Sequence, residues 1–189
     1  MARSYYQKGL GIVTYDEGVY PLANHAYLVT SATIGRQCFF DDFHAGCAAA
    51  RCFEESALLG DARMLAWVLM PDYTHWLVQL GKKDPLSLVV NRIKSASARF
   101  ANRVLARKGA FWEPGYHDHG LRREEDLRGV ARYNMIANPL RAGLVQRVGD
   151  YPFGMRSGFD GSRAWPAPTV GARNWIVTIF FKERMWCHE

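Results

Sequence analysis

The stretch "LAWVLMPDYTHWLVQLG" (residues 65–81) decides the fold. Two apolar runs flank Pro71-Asp72, a pair that favours a turn. Both runs are short, β-branched or aromatic, and bounded by turn residues, which predicts strands over 64–70 and 74–80 joined as a hairpin. Along the second run, residues two apart share a sheet face, so Tyr73 and His75 point the same way. A strand carrying His-x-His aims two imidazoles at one ion. Here Tyr73 stands where the first imidazole would be.

Working outward, "HAYLVTSAT" (25–33) predicts another strand and "DDFHAGCAAARCFEESALLG" (41–60) a helix. Asp41 or Asp42 would cap that helix and Gly60 would stop it. "LVVNRIKSASARFANRVLARKG" (88–109) places Val89, Ile93, Phe100 and Val104 at helical spacing. Arg92, Arg99, Arg103 and Arg107 recur on another face, without interleaved carboxylates, as a phosphate-tracking surface would. "GAFWEPGYHDHGL" (109–121) reads as an aromatic, glycine-rich loop or irregular strand, and "REEDLRGVARYNMIA" (123–137) as a helix with an acidic first turn, ended by Asn138-Pro139. This order predicts an α+β domain on a mainly antiparallel sheet.

The chain has 189 residues, enough for one full core, and 49% are hydrophobic, so it is globular. Its net charge of +6 favours a polyanionic partner, nucleic acid above all. No apolar run reaches the roughly 18 residues that span a bilayer, and the N-terminal residues lack a secretory h-region, so the expected location is cytoplasmic. Cys38, Cys47, Cys52 and Cys187 show no zinc spacing and read as reduced thiols. His117 and His119 flank Asp118 in a second short-spaced histidine string, which is also the candidate site of a separate class, a metal hydrolase.

The blocks "WVLMPDYTHWLVQLG", "NRIKSASARFANR", "FWEPGYHDHGLRREEDLRGVARY" and "NPLRAGLVQRVGDYPF", in that order, resemble the REP-associated tyrosine transposases, single-tyrosine enzymes of the HUH class. The resemblance covers about residues 26–153. It implies a ferredoxin-like antiparallel sheet with helices on one face plus a tyrosine-bearing helix. It implies a transposase-like domain over 1–153 and a divergent tail over 154–189. Tyr133 matches the nucleophile that forms a 5′-phosphotyrosine bond with single-stranded DNA and frees a 3′-OH. His75 matches the second histidine of the HUH pair, and Asn138 the polar group that completes a site for Mg²⁺ or Mn²⁺. The partner would be single-stranded or hairpin DNA at repeated extragenic palindromes, bound by a monomer or homodimer in the nucleoid. Expected DNA contacts are Arg92, Lys94, Arg99, Arg103, Arg107, Trp112, Tyr116, His117, His119 and Arg122.

Three departures stand against the family pattern. Tyr73 replaces the first histidine, and a neutral phenol is a poor ligand, since ionising it costs about three pH units at neutrality. Either the nuclease chemistry is weakened or gone, or water or another side chain fills the coordination place. Tyr133 is followed by four residues before Asn138 where the family has three. Counting from upstream makes Tyr133 the nucleophile, whereas counting back from Asn138-Pro139 puts Asn134 there. One inserted residue turns a helix by about 100°, so Tyr133 and Asn138 keep both places only with a bulge. Beyond "GDYPF" the resemblance stops.

Overall fold

The computed structural model describes residues 25–121 and 127–156. Five antiparallel strands form one sheet in the order β4-β1-β3-β2-β5. They are β1 (Ala26–Ala32), β2 (Arg63–Leu69), β3 (Tyr73–Gln79), β4 (His117–Gly120) and β5 (Gly154–Arg156). The hairpin predicted around Pro71-Asp72 is β2–β3, and it sits at the centre of the sheet. Every residue of β2 after Arg63 is buried, as a strand covered on both faces must be.

The first four residues of β3 alternate, with Tyr73 and His75 half-buried and Thr74 and Trp76 buried. Trp76 is fully buried, with ring centroids 5.2 Å from Phe53 and 6.1 Å from Trp112. Helices α1 (Phe43–Ala50) and α3 (Leu86–Val104) pack against each other, and α3 buries Leu86, Val89, Val90, Ile93, Ala96 and Ala101. Tyr73 and His75 project from the other face of the sheet, toward the segment that carries Tyr133. This is the α+β arrangement expected: an antiparallel sheet, a helical layer and a tyrosine-bearing helix.

The helix expected over 41–60 is broken. A 3-10 turn (Phe39–Asp41) precedes α1, and α2 spans only Ser56–Leu59. Asp42 is the cap, its carboxylate accepting from the Ala45 amide at 2.8 Å. The chain tightens after α1, with the Cys52 and Phe53 amides bonding three residues back. That turn carries Phe53 onto Trp67 and Trp76, and Glu54 to the Trp67 indole N–H at 2.6 Å, so tertiary contacts override local helix preference. Gly60, at φ +64°, ends α2 as expected.

Helix α3 ends at Val104, not at 109, and Ala106 turns to φ +49°. Arg107 therefore lies beyond the helix and not on its face. Phe100 and Val104, expected inside, are 40% and 44% exposed. The buried stripe closes on Ala101, and the Arg99 and Arg103 guanidiniums lie 5.4 and 5.9 Å from the Phe100 ring centroid.

The helix expected over 123–137 begins outside the described residues. Helix α4 (Leu127–Ala131) leads into a π turn (Arg132–Ile136), and α5 (Asn138–Arg141) follows. Asn138-Pro139 thus opens a new helical turn instead of ending one, because Pro139 sits in a first turn, where a missing N–H costs nothing. Among the described residues, Cys47 and Cys52 are free thiols, and Cys187 lies outside the described residues. No helix among the described residues is long and apolar enough to cross a membrane.

Gly46 lets α1 approach the residues that lead into β5. A Cβ there would meet the Phe153 ring at 2.6 Å. Gly46→Ala should therefore cost ~1–3 kcal/mol by overpacking, offset by at most ~1 kcal/mol of helix propensity. Urea unfolding checks this, and Phe153→Leu in the same background should recover part of the loss.

Candidate active site

On the open face of β3, the Tyr73 and His75 rings lie 5.1 Å apart, edge to face. Register places Thr30 of β1 directly beside His75, and His117 of β4 directly beside Thr30. His117, Thr30 and His75 therefore form one row across three strands. Thr30 Oγ1 and His75 Nδ1 are 2.8 Å apart, which fixes the imidazole plane and leaves Nε2 without a described partner. Burial, then the Arg141 and Arg36 charges, hold the His75 pKa down to about 4, so the ring is neutral at physiological pH.

Asn138 approaches from α5. Its Oδ1 accepts from Arg141 Nη2 at 3.3 Å, which orients the amide so that Nδ2 donates to the Tyr73 hydroxyl at 3.0 Å. The Tyr73 phenol is pushed above its ordinary pKa, chiefly by burial, with the Asn138 hydrogen bond working against the shift. It is a neutral phenol, held by an amide.

Tyr133 sits in the π turn and is 65% exposed. The Arg141 guanidinium lies 4.1 Å from its ring centroid and donates through Nη1 to the Tyr133 carbonyl. The Ala137 N–H reaches Arg132 O at 2.9 Å, five residues back. That wide turn absorbs the extra residue between Tyr133 and Asn138. Both side chains consequently meet the same guanidinium. Asn134, the alternative from downstream counting, instead bonds Val130 O at 3.2 Å.

A divalent cation of the Mg²⁺ or Mn²⁺ kind prefers charged oxygen ligands. The residues here supply one neutral imidazole, one neutral phenol and one amide already engaged, beside two guanidiniums. No group of three or more His, Cys, Asp or Glu among the described residues could hold a metal. Such a donor set does not fit the cation expected of His75 and Asn138.

The expected DNA contacts separate. Arg99 and Arg103 are exposed on α3. Arg92 is paired with Asp84 at 2.5 Å. Lys94 is buried, donating to the Glu113 and Gly115 carbonyls at 2.7 Å each, with burial lowering its pKa to about 8. Arg107 folds back on Asn102, 4.0 Å from the Phe39 ring centroid. Trp112 is buried, its indole N–H on Ser97 Oγ at 3.1 Å, so it plugs the space beside α3. Tyr116 is half-buried; His117 and His119 are exposed on β4; Arg122 lies outside the described residues. Sequence reasoning missed Thr30, Arg36 and Arg141. Thr30 lay in the strand expected over 25–33 and Arg141 in the "NPLRAGL" block, whereas Arg36 lay in no stretch already singled out.

The antiparallel sheet with its helices matches the Y1 transposase fold. Residues 23–133 match the family model described as "Transposase IS200 like", and the chain belongs to that family. It is 30% identical over 90 residues to a REP-associated tyrosine transposase of Escherichia coli, an alignment covering 47% of this chain and 50% of that protein. The chain thus spans about half the length of that relative. A solved structure of a REP-associated tyrosine transposase bound to a REP hairpin superposes with a TM-score of 0.57 at 21% identity, covering 80% of this chain and 82% of the other. The family is generally metal-dependent.

The neutral His75 makes a pH prediction. Unfolded, its pKa rises toward 6.5, so the unfolded chain binds the proton more readily and stability falls as pH drops from about 6.5 toward about 4. Urea midpoints at about pH 7 and about pH 5 should show wild type losing stability relative to His75→Gln.

Proposed function

We propose that this protein binds hairpin-forming single-stranded DNA at repeated extragenic palindromes, and that it has lost cation-dependent nicking by Tyr133. One observation carries the second half. The Tyr73 hydroxyl is bonded to Asn138 and flanked by Arg36 and Arg141, at the place where the resemblance calls for a histidine and a metal. The first half is supported by family membership, by the likeness in fold to a transposase solved on a REP hairpin, and by the basic, exposed end of α3.

In this reading Arg99 and Arg103 track hairpin phosphates, with the exposed Phe100 ring between them. His117 and His119 face the nucleic acid from the edge strand. Tyr133 remains beside the DNA as a contact. The protein acts in the cytoplasm, at the nucleoid, without a resident Mg²⁺ or Mn²⁺.

Gel shifts should show hairpin DNA preferred over plain duplex, with equal affinity in EDTA and in Mn²⁺. Arg99→Ala with Arg103→Ala should weaken binding on every hairpin alike and lower the salt slope of log K by about 0.7–0.9 for each phosphate no longer neutralised. Unchanged affinity and slope would remove α3 from the interface.

Denaturing gels with labelled hairpin and Mn²⁺ should show no covalent adduct for wild type. A wild-type adduct that disappears in Tyr133→Phe would show the site to be live despite Tyr73. An adduct appearing only in Tyr73→His would trace the loss to that one ligand.

A further inference from the structure

Two guanidiniums flank Tyr73. Arg36 follows β1 in a left-handed turn, with φ +58° at Gly35 and +55° at Arg36 itself. That conformation is uncommon for a side-chain-bearing residue and needs support from its surroundings. Gly35 N–H donates to Glu113 Oε1 at 2.7 Å, and Thr33 Oγ1 donates to the Gln37 and Asp72 carbonyls at 2.7 and 2.9 Å. Arg36 Nε is bound to Asp72 Oδ2 at 2.8 Å, and its guanidinium lies 4.9 Å from the Tyr73 ring centroid. Both of its Nη groups are without described partners.

Arg141 comes from a different element, α5. It is bound to the Tyr133 carbonyl and to Asn138 Oδ1, and no described carboxylate pairs with it. Its exposed guanidinium lies against the exposed Tyr133 ring. Arg36 lies over the Tyr73 ring, and Arg141 is bound to the Asn138 amide that holds the Tyr73 hydroxyl, so the two guanidiniums border one side chain. Asp72, already paired with Arg36, and Asp41, whose carboxyl pKa is raised by burial and by the Asp72 charge, are the nearby acids. Guanidiniums with open N–H groups match the forked oxygens of a phosphate, and a neutral phenol beside them repels no anion.

We propose that Arg36 and Arg141 form an anion site at Tyr73 that takes one DNA phosphodiester, beside Tyr133 and without a divalent cation. The inference rests on the reading of the protein as a binder of single-stranded DNA. The arginines place positive charge where the resemblance calls for the ion. The site holds a phosphate; it supplies no nucleophile activation of its own.

The probe is a thymidine tetranucleotide, titrated into the 189-residue chain in EDTA and followed by NMR. Wild type should bind it, and Mn²⁺ should not strengthen binding. Arg36→Gln and Arg141→Gln should each weaken it about tenfold, the loss of one charged hydrogen-bonding partner. Arg99→Ala with Arg103→Ala should change it far less. Equal affinity in the two Gln variants and wild type, or binding only with Mn²⁺, overturns the proposal. Should a Gln variant not fold, the wild-type spectrum decides: Tyr73 and His75 ring resonances shift on titration if the site is right and stay still if it is wrong. A hairpin gel shift run in parallel separates the two ideas. Without hairpin binding the DNA-binding reading falls; with hairpin binding but no dependence on Arg36 and Arg141, only the anion site falls.

Discussion

The two-residue period of β3 governs the rest of the molecule. Trp76 must face the helices, where Phe53 and Trp112 close around it, and this forces Tyr73 and His75 to the opposite side. A slip of one residue would put an indole in the site and a histidine in the core. Pairing on both edges, with β1 and β2, prevents the slip. The indole N–H of Trp76 has no partner among the described residues, so packing and not hydrogen bonding holds the ring there. The position of the site is therefore a by-product of core packing.

Within the site, the charges differ from what a cation centre requires. Asn138 turns its amide to a phenol and a guanidinium, and the half-buried His75 is held neutral by desolvation and by the Arg141 and Arg36 charges. The positive charge that disfavours a cation beside Tyr73 is the charge that the proposed phosphate would meet.

Much of this was legible in the sequence, for local reasons. The central strands announce themselves through apolar runs on either side of Pro71-Asp72, and the same alternation puts Tyr73 beside His75. The break after α1 was not legible, because residues 51–60 are locally compatible with a helix and only Phe53, Glu54 and Trp67 meeting in space interrupt it. Spacing could align Arg92, Arg99, Arg103 and Arg107 on a wheel, but it could not show that the helix stops before Arg107 or that Asp84 holds Arg92. Lys94 looks like its basic neighbours in sequence, yet it anchors two carbonyls of the loop after α3. Arg36 and Arg141 are far apart in the chain, and no local pattern predicts that they border one side chain. The extra residue before Asn138 was visible, along with the geometric dilemma it creates; the wide turn that resolves it was not.

That wide turn works as a clutch between two lengths of helix. Upstream of Arg132, angular position is counted from one end of the chain; downstream of Asn138, it is counted from the other. A helix without the slip transmits any insertion along its whole length as rotation. Here the rotation is dissipated within five residues, Arg132–Ile136. Tyr133 lies inside the slipping section, whereas Asn138 and Arg141 lie beyond it. The tyrosine can therefore be re-aimed by changes in the preceding helix, while the Asn138–Tyr73 contact keeps its alignment. Arg141, bound to both the Tyr133 carbonyl and the Asn138 amide, is the side-chain link that still couples the two lengths.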